Sequence, residues 1–132
     1  MGRDFELYES EDGKKFAVLL SPGYGSEWSN DDAQLACDKR IVEFWLKHKD
    51  DKKFMMELDS WDFIENRNNK VRKECDNFFR SIGFDEAPYM GGFPGIKLVW
   101  VKYGTGWRID SYDGWETIEY YHPCNYHMFL KG

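Results

Sequence analysis

The last third of the chain, residues 91–121, contains three short runs rich in β-branched and aromatic residues. The runs cover residues 96–101, 107–112 and 115–121, and turns containing glycine separate them. Such side chains favour strands, and a turn such as Asp-Gly lets the backbone reverse between them. This stretch therefore predicts a three-stranded antiparallel meander, and the rest of the chain has to cover one face of the sheet that it forms.

The middle run of the meander has two different faces, because successive side chains of a strand point to opposite sides. One set is Trp107, Ile109 and Ser111, and the other is Arg108, Asp110 and Tyr112. The second set faces outward and combines residue types that carry binding energy at interfaces. The carboxylates around the second turn, which are Asp110, Asp113, Glu116 and Glu119, are interpreted as solubilising rather than as acid–base catalysts.

The N-terminal part of the chain predicts a hairpin. Residues 5–9 and 14–20 are strand-like, and the turn between them contains Asp12-Gly13. The second run includes the continuously apolar sequence FAVLL, which is typical of a central strand, and it ends before Pro22 because proline cannot donate to a ladder.

Two stretches have apolar residues at spacings of three and four, which predicts amphipathic helices. The first helix would be capped by Ser29 or Asn30, and the second would run over residues 70–82 and end at Gly83. Residues 54–66 are ambiguous between helix and strand and favour a short helix. The apolar residues of the first helix are Ala33, Cys37, Ile41, Phe44 and His48, and those of the second are Val71, Cys75, Phe78, Phe79 and Ile82.

These elements predict an α+β fold in a single domain, residues 1–132, because the length leaves room for one core. The N-terminal hairpin and the C-terminal three-stranded meander would join in a single antiparallel sheet, covered on one face by two or three helices. The inward residues that meet the helices would be Phe16, Val18, Leu98, Trp100 and Ile109.

Composition disfavours several classes of partner. The net charge is −6, and residues 1–66 hold most of the acidic excess, so a phosphate backbone would be repelled and nucleic acid is an unfavoured partner. No apolar run reaches the ~18 residues of a membrane span, and the N-terminus lacks the features of a signal peptide, so we expect no membrane partner and an intracellular protein.

The loop at residues 22–30 has two interpretations. Gly23 and Gly25 bracket Tyr24, and Trp28 follows. The two aromatic rings could anchor a tight turn in the core, or they could form the wall of a ligand site beside a helix N-terminus, whose free N–H groups attract anions.

Cysteines and histidines are few and widely spaced, and they form no CxxC pair or zinc spacing. His122, Cys124 and His127 lie close together in the tail and could supply a thiol nucleophile or a metal site, but adjacency in sequence does not place catalytic partners. We therefore predict no catalytic residue, no metal and no cofactor.

Two motifs resemble one family. The segment PGYGSEWS, followed by a helix containing DKRIVEF, resembles the start of a family of small, mostly uncharacterised bacteriophage proteins, whose usual form is PGYGAGWSTW followed by FDKRIVE. The segment IKLVWVKYGTGWRIDSYDGWETI resembles the family's C-terminal β-meander, of the type LEIEWVPKGTRFRIEEYDGSESI. The resemblance implies a phage setting, in the cytoplasm of the infected bacterial host, and no particular activity.

Three functions stay open. The one we favour is a non-catalytic protein that binds a host protein, such as a defence component, and inhibits or modulates it, since an acidic chain suits a basic partner. The second is a sponge for a small anionic, nucleotide-like signal, held by the helix N-terminus after Asn30 and by Arg108. The third is a small hydrolase that uses the tail cysteine and histidines. The predicted binding residues are Tyr24, Trp28, Arg108, Asp110 and Tyr112.

Overall fold

A computed structural model of the chain describes residues 4–21, 23, 27–120 and 126–131. Its helices and antiparallel strands confirm the mixed α+β class. In chain order the elements are β1 (Lys15–Leu20), α1 (Ala33–Cys37), α2 (Lys39–His48), α3 (Lys52–Glu57), α4 (Trp61–Glu65), α5 (Lys70–Ser81), a 3₁₀ turn (Phe93–Gly95), β2 (Lys97–Lys102), β3 (Trp107–Tyr112) and β4 (Trp115–Tyr120). None of the helices in these ranges has the length and apolar character that crossing a membrane requires.

Strand β1 lies at the centre of the molecule, and the five residues of its FAVLL sequence are all buried. One face of β1 packs on the helices through Ala17 and Leu19. The other face, through Phe16 and Val18, packs on β2 and β3, including Trp107 and Ile109. A strand covered on both sides has no polar face, which explains the unbroken apolar run.

The contacts of the helices agree with the predicted set of residues in part. Phe16, Val18 and Ile109 share a cluster with Ala36 and Cys37 of α1, whereas the buried apolar residues of α2 to α5 belong to the other cluster. Leu98 packs against the helical cluster as predicted, whereas Trp100 is 40% exposed, and its ring lies against Tyr8. The prediction was wrong for Trp100 and for the packing of α2 to α5 on Phe16 and Val18, because it allowed β1 only one buried side.

Within the described residues the predicted single sheet is corrected to two, since β1 pairs with β2 and β3 pairs with β4, both antiparallel. The N-terminal run makes isolated bridges, including Glu9 to Phe16, instead of a full hairpin. The C-terminal segment pairs with the edge of β3 that β2 would occupy in a three-stranded meander. Trp107 and His127 exchange both backbone hydrogen bonds, at 2.9 and 2.7 Å, and the Gly104 N–H donates to the Phe129 carbonyl at 2.8 Å.

The first predicted helix is two helices, because Asp38 interrupts it. Its carboxylate is fully buried and caps α2 by accepting a hydrogen bond from the Arg40 N–H at 2.9 Å. The Arg40 guanidinium donates to both carboxylate oxygens, at 3.0 and 2.7 Å, and Gln34 adds a further hydrogen bond. Burial by itself raises the pKa of Asp38, but the hydrogen bonds from Arg40 and Gln34 outweigh it and lower that pKa below its usual value.

The start of α1 also differs from the prediction. Asp32, rather than Ser29 or Asn30, caps this helix by accepting from the N–H groups of Gln34 and Leu35. Asn30 and Asp31 have positive φ angles of 50° and 63°, so the chain makes a left-handed turn before the helix begins.

The prediction of the second amphipathic helix is confirmed, whereas the middle segment was predicted as one short helix and forms two. The ambiguous middle segment forms the short helices α3 and α4, and the second amphipathic helix is α5. Asn69 caps α5, and Gly83, with a φ of 106°, follows its end.

His48, at the end of α2, is buried among aromatic rings. Its ring stacks on Phe54 with the centroids 3.8 Å apart and meets the edge of Phe44 at 4.7 Å. Its Nε2 atom lies 3.1 Å from a Glu74 carboxylate oxygen without the alignment of a hydrogen bond. Burial lowers the pKa of His48, and it outweighs the opposite effect of Glu74.

This burial predicts a loss of stability in mild acid. The folded pKa of His48 lies below the unfolded value, so the unfolded chain binds a proton first, and the free energy of unfolding falls as the pH drops below about 6.5. His48→Phe keeps a ring in the cluster and removes the titration. Urea unfolding at about pH 7.5 and about pH 5.5 should show a larger loss of stability for the wild type than for the variant. Equal losses would contradict this account, because all other titrating groups are common to both proteins.

Candidate functional site

Glu116, near the start of β4, is buried and binds the loop that precedes α1. Only 2% of the residue is exposed. One carboxylate oxygen accepts from the Ser21 N–H at 2.9 Å, and the other accepts from the N–H groups of Trp28, Ser29 and Asn30 at 3.2, 3.0 and 3.1 Å. The Glu116 N–H donates in turn to the Ser21 carbonyl at 2.7 Å. Converging backbone N–H groups form a natural anion site, and here the chain's own carboxylate fills it.

The β3–β4 turn sets the position of Glu116. Asp113 and Gly114 both have positive φ angles, 49° and 88°, which is the backbone of a tight hairpin turn and confirms the prediction from Asp-Gly. The resulting register pairs Ser111 with Glu116 and Ile109 with Ile118 on the inner face. The interpretation of Glu116 as a solubilising surface residue was wrong, because it lies on this inner face.

Asp31 forms a second link between the same loop and the hairpin. One oxygen of its carboxylate accepts from the Ile109 N–H at 3.1 Å and lies 3.0 Å from Nε2 of His127. The His127 backbone pairs with Trp107. The loop, β3 and the C-terminal segment are therefore fixed relative to one another.

Trp28 lies in the core, which is one of the two interpretations that the sequence left open for it. It is 4% exposed, its indole N–H donates to the Leu35 carbonyl at 2.9 Å, and its ring packs against Phe93. Its ring is therefore not at the surface. Tyr24, the other predicted aromatic wall, lies outside the described residues.

The predicted row Arg108, Asp110 and Tyr112 lies on the outer face of the β3–β4 hairpin. The Arg108 Nε–H donates to Glu119 at 3.0 Å, a hydrogen bond that raises the pKa of Arg108, and the guanidinium lies 3.9 Å from Asp110. Tyr112 is 69% exposed and is the cross-strand partner of Trp115, which is 40% exposed. We call this face, from Arg108 to its tip at Tyr112 and Trp115, the hairpin surface.

A pocket of about 580 Å³ opens beside the tip of the hairpin, and its described lining is Glu27, Tyr89, Asp113 and Gly114. This pocket was not predictable from the sequence, because its described walls come from three distant segments. Two neighbouring glycines offered a signal. A Cβ atom at Gly91 would lie 2.1 Å from the Tyr89 hydroxyl oxygen, and one at Gly92 would lie 2.4 Å from the Glu27 carbonyl oxygen. The pair therefore allows both walls to pack closely.

The residues that a thiol hydrolase would need are only partly described. His122 and Cys124 lie outside the described residues, and His127 is held by Asp31 and Trp107. Cys37 and Cys75 are buried, and burial raises the pKa of the Cys75 thiol to about 12. Within the described part of the chain, no three His, Cys, Asp or Glu side chains are grouped so that they could hold a metal ion.

Neither the family models, nor the curated proteins, nor the solved structures with which the chain was compared give a match.

The Glu116 contacts predict a large cost for an isosteric change. In Glu116→Gln an amide NH₂ must face at least one backbone N–H group, and the charge that strengthens the other hydrogen bonds is lost. We expect urea denaturation to show a loss of about 2–4 kcal/mol in the free energy of unfolding. The matched control is Glu119→Gln on the same strand, which weakens only the half-exposed pair with Arg108 and should cost less than about 1 kcal/mol. Similar losses in the two variants would contradict the structural role of Glu116.

Proposed function

We propose that this protein is a non-catalytic, phage-type binding protein that contacts a host protein in the cytoplasm of the infected bacterium and inhibits or modulates it. The observation that supports this proposal best is the hairpin surface, where an exposed aromatic pair, Tyr112 and Trp115, stands at the tip of a hairpin whose other face is locked into the core.

Rigid presentation gives these aromatic side chains their value for binding. Tyr and Trp supply a large contact area and lose little conformational freedom on binding. The inner face of the hairpin is fixed by Trp107 and Ile109, which are buried, and by the contacts of Glu116. A partner would therefore meet a preorganised surface, which reduces the cost of association.

Charge favours a basic partner. The chain has a net charge of −6, and the pocket beside the hairpin tip contains the carboxylates of Glu27 and Asp113. Complementary charge speeds encounter and selects among partners. Arg108 does not reverse this balance, because Glu119 and Asp110 both lie beside its guanidinium.

The alternative of an anion sponge has weaker support. At the start of α1 the N–H groups of Gln34 and Leu35 are already bonded to the Asp32 carboxylate, and Arg108 is bonded to Glu119. A phosphate group would have to displace two internal carboxylates from the positions that the sequence had suggested for it. The third function, a hydrolase, depends on a cysteine outside the described residues.

The proposal predicts that one host protein is retained through the hairpin surface. The immobilised wild type should capture one partner protein from bacterial lysate. The control variant Trp61→Ala removes a ring on α4 that is 74% exposed, and it should capture the same partner. Tyr112→Ala should weaken binding of the purified partner by about tenfold or more in calorimetry. Absence of a partner, or equal binding by Tyr112→Ala and Trp61→Ala, would contradict the proposal.

The same proposal predicts no response to nucleotides. A ligand that binds the folded state raises the melting temperature. Because the proposal includes no nucleotide site, a thermal-shift screen of mono-, di- and cyclic nucleotides should leave the melting temperature of the wild type unchanged. Stabilisation that Arg108→Gln abolishes would instead establish the anion sponge.

A further inference from the structure

We propose that the pocket lined by Glu27, Tyr89, Asp113 and Gly114 receives an arginine side chain of the partner protein. This inference rests on the proposed function and adds the chemistry of the group that the partner presents. It places the selective contact in the pocket beside the hairpin tip rather than at Arg108 and Asp110.

The two carboxylates of the pocket have no partner within the described part of the chain. Neither Glu27 nor Asp113 makes a hydrogen bond or an ion pair there. Other carboxylates of the same region have partners within the chain: Glu116 accepts from backbone N–H groups, Glu119 is paired with Arg108, and Asp31 accepts from the Ile109 N–H. A cation from outside would therefore find its counter-charges at this pocket.

Tyr89 supplies an aromatic wall of the pocket. Its ring lies so close to Gly91 that an added Cβ atom would be 2.1 Å from the hydroxyl oxygen and 2.7 Å from a ring carbon. The residue is nevertheless 59% exposed, so the ring remains available for contact. A positive group beside a tyrosine ring and near carboxylates gains from cation–π attraction and from charge-assisted hydrogen bonds together.

These groups fit arginine better than they fit a small ion. The volume of about 580 Å³ exceeds what a single metal ion needs, and the described lining offers two carboxylates rather than a closed ligand shell. A planar guanidinium can stack on a ring and donate to carboxylates at the same time, which the compact ammonium of lysine cannot do as well.

A second pocket provides the control. It measures about 560 Å³ and is also acidic, but its lining includes Lys39, and its Glu9 carboxylate is paired with Lys131. Glu43 lies in this lining. Neutralising Glu43 therefore changes the net charge by the same amount as neutralising Asp113, without changing the first pocket.

The experiment titrates N-acetyl-arginine amide into ¹⁵N-labelled protein and follows the amide signals of Glu27 and Gly114. Saturable shifts should occur, and Asp113→Asn, which keeps the positive φ that the turn requires, should weaken them by about fivefold or more. Glu43→Gln should leave the affinity unchanged, and the neutral N-acetyl-citrulline amide should give no saturable shifts. Equal shifts with the citrulline compound, no saturation with the arginine compound, or no effect of Asp113→Asn would overturn the inference.

Partner capture separates failure of the pocket from failure of the proposed function. If Tyr112→Ala loses the host protein while Asp113→Asn keeps it with unchanged affinity, the function stands and the arginine site is overturned. If the arginine compound binds as described but no host protein is retained, the pocket stands and the proposed function is overturned. Loss of the partner in both variants, with Glu43→Gln unaffected, supports the two together.

Discussion

The carboxylate of Glu116 connects parts of the chain that are far apart in sequence. It accepts four backbone N–H groups, one at the end of β1 and three in the loop before α1, while its own N–H bonds back to Ser21. Breaking this set would leave four backbone donors, three of them buried, without their acceptor, at a cost far above that of a surface ion pair. This set of hydrogen bonds fixes the position of Trp28 in the core, the path of the chain into α1 and the orientation of the hairpin surface.

Local signals in the sequence predicted the parts of the fold that local physics determines. The run FAVLL predicted a buried strand, the spacing of Phe78, Phe79 and Ile82 predicted α5, and Asp113-Gly114 predicted the turn. Strand pairing was not predictable in the same way, because two candidate partners compete for each edge. The C-terminal segment pairs with β3 through His127 and Trp107. Strand β2 therefore pairs with β1 alone, and the described residues form two sheets instead of one.

The candidate site was predictable only where strand periodicity applied. The period of two correctly placed Arg108, Asp110 and Tyr112 on the outer face. The same alternation puts Glu116 on the inner face with Ile118, but a buried acid is stable only when donors converge on it, and those donors are backbone groups that no sequence pattern reveals. The pocket escaped prediction for a similar reason, since Glu27, Tyr89 and Asp113 meet only in the folded chain.

Amide hydrogen exchange tests the role of Glu116 most directly. The N–H groups of Trp28, Ser29 and Asn30 belong to a loop, and most loop amides exchange within seconds to minutes unless they are bonded. If Glu116 holds them as described, their exchange should be as slow as that of the paired amides of β3 and β4, because all of them open together. Exchange of these three amides at the rate of an unstructured peptide, with β3 and β4 still protected, would contradict the account.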